Sequence, residues 1–396
     1  MYYGSRVTGS SMTFTLAREL RLPVATYSHS ALFYDTDDEL VAGLVPFVKQ
    51  GIEADERVVV VVSSSIGEMI REQLGPRAEF DLLNSADVYT HPVRTLAAYV
   101  ETVRAGTAQG RPMRVAGQPI WNGLSPLEIA EWTCVEAACN VVFASSPLQM
   151  LCPYDTARVD PSVIAAARRT HPEIRHGSHV TTSPDFSPFD HQSAIRASEL
   201  PARPAMSEQI SIFSPADLAP VQSFVDAFAR SQGMADGRIT ELALAVEELV
   251  VHVIDFRAGP ARLHIWANAE QLVYEIEFSG LLTSPFAGYL PPSASTPMDN
   301  ALWLAGEKCD LLAVRERRGN TTLRVHFQDY LVSSRPECKG IDALLGAYVL
   351  AACDPEEMVL VDAHLSICAE CRTEAARLGH VVGLMNHPHG QPQPDS

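Results

Sequence analysis

Residues 40–75 read LVAGLVPFVKQGIEADERVVVVVSSSIGEMIREQLG. Apolar residues recur at helical spacing in the first third, the valine run 58–62 follows, and a helical pattern returns after the serines at 63–65. A continuous β-branched run between two helices is typical of a strand buried on both faces of a parallel sheet. This stretch therefore predicts an α/β fold.

The same alternation continues along the chain to residue 175. Further strands are expected at MRVAG (113–117) and LQMLCPYD (148–155), with helices at 94–104 and 126–143 between them. We therefore predict an α/β domain over residues 26–175. Residues 176–206 carry four prolines among Ser, Thr and His, a composition that predicts a linker with little to bury.

The next segment, residues 207–327, changes pattern. Helices are expected at 217–233, 238–256 and 299–307, and a pair of strands at 261–280. A closing hairpin is expected at 311–327, with its turn at Gly319 and Asn320. This order predicts an α+β domain in which helices pack on a sheet. A small all-α domain is expected at 336–380, and the Pro/His/Gln-rich tail 386–396 is expected to be disordered.

Composition excludes several classes of function. The net charge is −18, from 30 Lys and Arg against 48 Asp and Glu, which argues against nucleic acid as a direct partner. No apolar run approaches the about 20 residues of a spanning helix, and no basic segment with an apolar core opens the chain, so we expect a cytoplasmic protein without a membrane partner. The eight cysteines are scattered, which predicts thiols or metal ligands rather than disulfides.

The segment HLSICAEC (364–371) has the spacing of a metal site. Asp354, Pro355 and Glu357 form a capping signature that starts a helix and carries His364 into its last turns, next to Cys368 and Cys371. Structural zinc takes four ligands. The fourth is expected to be Cys338, 26 residues before His364 at the start of the preceding helix, with Cys353 as the other candidate. A redox CxxC pair or chance is the alternative interpretation.

This pattern, C-x25-H-x3-C-x2-C, together with LLGAYVLAACDPEE and VDAHLSICAECRTE, resembles the anti-sigma zinc-finger family over residues 336–378. The resemblance implies that Cys338, His364, Cys368 and Cys371 bind a structural Zn²⁺ and that the partner is an alternative sigma factor. In some members of that family the zinc thiolates are oxidised and the partner is released, and low-pKa thiolates permit the same here. The apolar residues that could form the sigma-binding surface, or equally the domain's own core, are Leu344, Leu345, Tyr348 and Val349.

The second domain resembles the ATP-binding fold of anti-sigma serine kinases and histidine kinases, through ELALAVEELVVHVIDF (241–256) and GNTTLRVHF (319–327). The resemblance places Glu248, beside Glu247, at the catalytic carboxylate. Where that family has a metal-binding Asn, this chain has His252, and where it has an adenine-recognising Asp, this chain has Phe278. The family's following glycine is retained as Gly280. Its glycine-rich turn is replaced by Met298, Asp299 and Asn300.

These departures weaken a nucleotide site. Imidazole suits Mg²⁺ poorly, Phe278 cannot accept a hydrogen bond, and without glycines the backbone cannot approach phosphate closely. We therefore expect a degenerate domain that is not an enzyme, does not bind ATP, and serves as a docking or dimerisation surface. The alternative is a serine kinase that phosphorylates an antagonist protein.

The first domain resembles the MEDS sensory domain of bacterial regulators of one-carbon and hydrocarbon metabolism, which is often fused to kinase-like domains in actinobacteria. The matching stretches are residues 29–63, 94–100 (RTLAAYV), 117–121 (GQPIW) and 151–172. The resemblance implies a RecA-like α/β fold, although no phosphate-binding G-x-x-x-x-G-K-[ST] motif is present. His171, before Pro172, is interpreted as a helix C-cap.

A small-molecule site is expected at the carboxyl ends of the parallel strands. The residues that could line it, each of which could instead be a buried polar group or a cap, are His29, Tyr34, Asp35, Trp121, Glu136, Asn140, Tyr154 and Asp155. The sequence thus favours a cytosolic anti-sigma regulator in which a sensory domain controls a zinc-held sigma-binding module. A DNA-binding regulator is the third hypothesis, which the acidic charge disfavours.

Overall fold

The computed structural model describes residues 27–108, 110–176, 179–257, 259–268, 270–292, 296–328, 338, 341–349, 352–368, 371–372 and 375–376. Within these residues the chain forms two compact units. The first contains residues 27–232 and 236–328, and the second contains 338–376 together with 233–235. Among the described helices, none is both long and apolar enough to span a bilayer.

The first sheet has the strand order β3-β2-β4-β5-β1-β6-β7. All neighbouring strands are parallel except β6 and β7, which form an antiparallel hairpin. The strands predicted at 58–62, 113–117 and 148–155 are confirmed, so this part of the chain is α/β. The strands are β1 (Ser28–Tyr34), β2 (Arg57–Val62), β3 (Asp81–Asn84), β4 (Met113–Gly117), β5 (Leu148–Asp155), β6 (Glu173–His176) and β7 (His179–Thr182).

Helices cover both faces of this sheet, as the valine run requires. Val58, Val60 and Val62 pack with α1 and α2, whereas Val59 and Val61 face the core that α4 and α5 complete. The helices of this region are α1 (Asp37–Glu53), α2 (Ser64–Leu74), α3 (Ser85–Val88), α4 (Pro92–Ala108), α5 (Pro126–Val142), α6 (Pro161–Thr170) and α7 (Pro188–Ala197).

Residues 176–206, expected to be a linker with little to bury, instead contain β7 and α7. Helix α7 buries polar side chains that find partners far away in sequence. The His191 Nε2 atom lies 2.9 Å from Thr133 Oγ1 of α5, and Arg196 donates to the carbonyls of Pro285 and Ala287, both at 2.8 Å. These partners hold the segment in the fold, and its composition alone does not reveal them.

The second sheet is antiparallel with the order β11-β12-β10-β9-β8. Its strands are β8 (Glu208–Ile212), β9 (Ala261–Ala267), β10 (Gln271–Ser279), β11 (Leu311–Arg317) and β12 (Asn320–Gln328), and its helices are α8 (Leu218–Ser231), α9 (Asp236–Phe256) and α10 (Pro297–Lys308). Helix α9 packs against α8 and α10, which contact β8 and β11. The predicted hairpin is present, but it turns at Arg318 and Gly319, both with positive φ, and Asn320, which was expected in the turn, is the first residue of β12.

The two sheets belong to one unit and share a core. Phe286, Tyr289 and Trp303 from the second segment lie in the same apolar cluster as Val93 and Leu96 of α4. Across this contact Arg315 of β11 donates to Glu131 of α5 at 2.8 Å, and both side chains are buried. The α/β and α+β segments are therefore packed together.

The second unit is helical. Helix α11 spans Ile341–Val349 and α12 spans Pro355–Ile367. Asp354 forms the predicted capping box with Glu357, which confirms the predicted helix start. The core of the unit consists of Cys338, Ile341, Leu345, Val361 and Cys371. The predicted tail 386–396 lies outside the described residues.

Candidate metal centre

The four residues predicted to bind zinc come together in the second unit. His364 lies in the last turn of α12, and Cys368 is the C-cap residue, whose N–H donates to the His364 carbonyl at 2.9 Å. Cys338 was expected to open the preceding helix. It lies instead in a turn before α11, where its carbonyl accepts from the Ile341 N–H at 3.0 Å. The turn and the helix end bring the upstream thiol to the other three donors.

One donor atom from each of Cys338, His364, Cys368 and Cys371 lies within 4.8 Å of the other three. The Cys338 and Cys368 sulfurs are 3.9 Å apart, and His364 Nε2 is 3.2 Å from Cys371 Sγ. With Zn–S bonds of about 2.3 Å and a Zn–N bond of about 2.0 Å, a tetrahedron places two sulfurs about 3.8 Å apart and a sulfur and a nitrogen about 3.5 Å apart. The donor set and its spacing therefore fit zinc.

Two thiols of the cluster differ in acidity even without an ion. Hydrogen bonding from the Cys371 backbone lowers the pKa of Cys368 to about 7. Burial raises the pKa of Cys371 to about 12. Zinc is bound by thiolates, so an ion in the cluster would hold both sulfurs deprotonated.

Cys353, the other candidate for the fourth ligand, points elsewhere. Its Sγ lies 3.7 Å from the Leu344 carbonyl, and it is not among the four clustered residues. The turn before Asp354 directs this thiol back towards α11. Of the two cysteines that the sequence left open, Cys338 is therefore the one that completes the donor set.

The apolar residues of α11 mostly serve the unit's own core. Leu345 is buried, Leu344 and Tyr348 pack against the same cluster, and Val349 is half-buried. The exposed apolar surface is on α12 instead, where Met358, Val359 and Leu360 follow one another and Val359 is 69% exposed. The sequence shows this apolar surface as the run MVLV (358–361). Which of these side chains face solvent could not be predicted, because that depends on Val361 being the one that packs into the core.

The positions matched to kinase residues have local structural roles. His252 Nδ1 lies 2.8 Å from the Glu248 carbonyl, one turn earlier in α9. The ring of Phe278 is buried against Phe256, with centroids 5.9 Å apart. Asp299 closes a capping box with Thr296 at the start of α10, one turn that also contains Met298 and Asn300. Helix capping and core packing thus account for these side chains.

A cavity of about 610 Å³ opens beside the second sheet. It is lined by five arginines and three glutamates, and several of these charges pair with one another. Arg203 lies 3.3 Å from Glu275 and 3.2 Å from Glu277, and Arg324 also pairs with Glu275. Phe278 and Ser279 lie on its wall. The cleft is therefore polar, with more cationic than anionic side chains in its lining.

The predicted sensor residues divide into two groups. Tyr34, Asp35 and Asp155 lie at the carboxyl ends of β1 and β5, as expected. There Asp155 accepts from the N–H groups of Ala157 and Arg158 at 3.0 and 3.1 Å, and Asp35 is hydrogen-bonded to Thr156. These contacts are those of turn-forming residues.

The other group lies in the core, on the sheet face covered by α5 and α6. His29, Glu136 and Asn140 meet there, and two residues that were not predicted as site residues, Cys152 and His171, join them. Trp121 and Tyr154 stack beside this group with centroids 5.8 Å apart. His171 is the C-cap of α6, as interpreted from the sequence, and its ring also contacts the group.

The ionisation of the core group is strongly perturbed. Burial and the neighbouring His171 lower the pKa of His29 to about 4. Burial alone would raise the pKa of Glu136, but the adjacent imidazoles of His171 and His29 outweigh it and hold that pKa well below its usual range. The cluster therefore places an ionised carboxylate between two imidazoles inside an apolar core.

Comparison with known proteins finds similarity over two parts of the chain. No curated protein matches it. Two family models do match. One, described as MEDS: MEthanogen/methylotroph, DcmR Sensory domain, covers residues 28–172, and one described as Putative zinc-finger covers residues 338–372. Neither covers residues 207–327, where the kinase-like resemblance stays a prediction. The chain is thus similar to a sensory-domain family over its first sheet and to a zinc-finger family over the four clustered donors.

Proposed function

We propose that the protein is a zinc-binding anti-sigma factor that sequesters an alternative sigma factor under the control of its N-terminal sensory domain. The observation that carries this proposal is the convergence of Cys338, His364, Cys368 and Cys371 in a short helical unit that matches a zinc-finger family. A unit with so small an apolar core gains the folding free energy it lacks from a bound metal.

The exposed residues Met358, Val359 and Leu360 on α12 supply the docking surface. Consecutive exposed apolar side chains on a helix are unfavourable in water unless a partner covers them. His364 at the other end of the same helix is a zinc ligand, so the ion fixes the helix that presents this surface. We infer that a helical segment of the sigma factor packs against it.

The second sheet then has a scaffolding role and no catalytic one. Support comes from Phe278, His252 and Asp299, which are engaged in packing, a helix hydrogen bond and a capping box. If the domain is not a kinase, MgATP should leave the unfolding temperature of the full chain unchanged. A dose-dependent rise would favour the serine-kinase alternative.

The zinc site is tested by metal analysis of the full chain. Replacing Cys368→Ser together with Cys371→Ser removes two thiolate ligands, so the bound zinc should fall by one ion per chain and the helical signal of the last unit should decrease. Cys353→Ser is the matched control because this thiol lies in the same unit outside the donor set. Unchanged zinc content in the double variant would refute the site.

The partner is tested with the surface of α12. Val359→Asp places a charge in the middle of the apolar run, and it should abolish co-purification of a sigma factor from the native host while leaving zinc content intact. Leu244→Asp, at an exposed apolar position on α9, is the control and should retain the partner. Equal recovery of the sigma factor with both variants would contradict the proposed surface.

A further inference from the structure

A second group of metal-type donors lies in the core of the sensory domain. His29 belongs to β1, Glu136 to α5 and Cys152 to β5, and His171 follows α6. Ala31 of β1 pairs with Cys152 of β5, and His29 lies two residues before Ala31 on the same strand. The side chains of His29 and Cys152 therefore point to the same face of the sheet. Their donor atoms all lie within 4.8 Å of one another, and all four residues are buried. Nothing in the proposed sigma-binding function uses them.

The ring orientation of His29 follows from its neighbour Asn140. The Asn140 amide nitrogen donates to the Thr170 carbonyl at 2.7 Å and to the carbonyls of Glu136 and Ala137, both at 3.2 Å. The amide oxygen must then be the atom facing His29 Nδ1 at 3.3 Å. An oxygen only accepts, so Nδ1 carries the proton and a neutral ring presents a lone pair at Nε2.

His171 is oriented in the same way by backbone. Its Nδ1 lies 2.9 Å from the Ala167 carbonyl, which can only accept, so Nδ1 again carries a proton. Its Nε2 atom is buried and has no hydrogen-bond partner among the described residues. That atom lies 3.4 Å from Glu136 Oε2.

With both rings neutral, the Cys152 thiol, which donates to Glu136 Oε2, is the only proton donor of these four residues that faces the two Nε2 lone pairs and the carboxylate oxygen. The Nε2 atoms of His29 and His171 face the same Glu136 oxygen at 3.3 and 3.4 Å, and Cys152 Sγ lies 3.5 Å from His29 Nε2 and 3.6 Å from Glu136 Oε2. Lone pairs that converge in an apolar core repel unless a positive charge lies between them. Protonating both rings would place two imidazolium ions with centroids 3.9 Å apart in full burial, which is costly.

A metal ion removes this conflict. A tetrahedral ion with bonds of about 2.0–2.1 Å to nitrogen and oxygen and about 2.3 Å to sulfur needs donors about 3.3–3.6 Å apart. Four of the six donor separations lie between 3.3 and 3.6 Å and match this requirement, and all six are within 4.8 Å. The hydrogen bonds that Asn140 and the Ala167 carbonyl make to the two Nδ1 atoms are those that usually orient histidines on a metal.

We propose that His29, Glu136, Cys152 and His171 form a second site in this protein, which holds a divalent transition-metal ion in the sensory domain. Two imidazoles, a carboxylate and a thiolate are ligands that Zn²⁺ accepts, and the soft thiolate with two nitrogens excludes Mg²⁺ and Ca²⁺. The ion joins β1, β5, α5 and the end of α6 in the middle of the domain. The donors are contributed entirely by the first compact unit, so this site is independent of the zinc finger.

The test is zinc stoichiometry in the full-length protein, after dialysis against metal-free buffer and reloading with Zn²⁺ alone. The wild-type chain should bind two ions. Cys152→Ser should bind one, the double variant Cys368→Ser and Cys371→Ser should bind one, and the combined triple variant none. Because each site is removed separately, failure of the zinc-finger proposal and failure of this one give different patterns.

The matched control is Cys139→Ser, which replaces a buried thiol one turn along α5 from Glu136. It should retain both ions. A second readout, Co²⁺ loading of the Cys368→Ser and Cys371→Ser double variant, should give a thiolate-to-cobalt charge-transfer band that disappears on adding Cys152→Ser. This band reports a sulfur–metal bond and not the stability of the fold.

His171→Gln provides a variant that leaves the thiol in place. It removes one nitrogen donor and should lower Zn²⁺ affinity at this site by about 10-fold or more. If the folded wild-type chain binds one ion only, and that ion is lost with Cys368 and Cys371 alone, the second site does not exist. The same conclusion follows if Cys152→Ser folds and still binds two ions, or if no sulfur–cobalt band is seen.

Discussion

At the scale of single residues, the fold depends on polar side chains that are buried in one charge state. His191 of α7 is an example, because burial, with a smaller effect of Arg169, lowers its pKa to about 4. The unfolded chain takes up a proton near pH 6.5, whereas the folded chain stays neutral until about pH 4. The contribution of neutral His191 to the free energy of unfolding is therefore complete above pH 6.5 and is lost as the pH falls towards 4.

This sets a pH prediction for His191→Gln, whose amide stays neutral. The wild-type free energy of unfolding should fall between pH 7.5 and pH 5, and the fall should be smaller in the variant by up to about 2 kcal/mol. Chemical denaturation at each pH measures the difference. His179→Gln, at an exposed position on β7, is the control and should follow the wild type. Parallel wild-type and His191→Gln curves would show that His191 does not titrate on unfolding.

The two groups of metal-type donors differ in how well their residues could be predicted from the sequence. The zinc-finger donors were predictable because three of them lie within eight residues at a helix end, where spacing alone brings side chains together. The sensory-domain donors come from positions 29, 136, 152 and 171, in separate elements, so no spacing marks them. His29 and Glu136 were candidates for a ligand pocket. Cys152 and His171 were not, because their contacts depend on sheet register.

At the scale of elements, close approach between strand and helices limits substitution in β4. A Cβ atom on Gly117 would lie 2.0 Å from the Tyr89 hydroxyl and 3.0 Å from that of Tyr99. These two hydroxyls are hydrogen-bonded at 2.7 Å, which fixes the end of α3 against α4. A glycine is therefore required where the strand passes beneath the tyrosine pair.

We expect Gly117→Ala to destabilise the first unit by about 1–3 kcal/mol, since the pair must shift to make room. Adding Tyr89→Phe removes the oxygen that clashes and should restore part of that loss, as thermal unfolding of the single and double variants would show. Gly237→Ala on α9 has open space around it and should be neutral or slightly stabilising. Strictly additive effects of the two substitutions would argue that Tyr89 does not set the constraint.

Elements with a strong pattern were predictable, and those held by distant contacts were not. The valine strand, β4 and β5 agree with their predicted bounds within one residue, because buried parallel strands consist of continuous apolar runs. Strand β7 and helix α7 were missed. Helix α7 is fixed by His191 on Thr133 and by Arg196 on the Pro285 and Ala287 carbonyls, and the burial of such polar groups cannot be inferred from local composition.

At the scale of the whole molecule, the sensory domain and the second sheet share one core, which limits how the chain can be divided. A fragment of residues 1–206 loses Phe286, Tyr289 and Trp303 from that core, which exposes the apolar surface that they cover and removes the Arg315 partner of Glu131. We expect this fragment to bind a hydrophobic dye and to unfold at a much lower temperature than the full chain, whereas residues 1–330 should unfold in one cooperative transition.

In the longer fragment, Glu131→Ala should lower the free energy of unfolding more than Glu131→Met, which keeps the apolar contact. The difference between the two variants separates the effect of the lost volume from that of the lost charge. Equal stability of the two fragments would mean that the shared core contributes little, and the sensory domain would then be free to act alone.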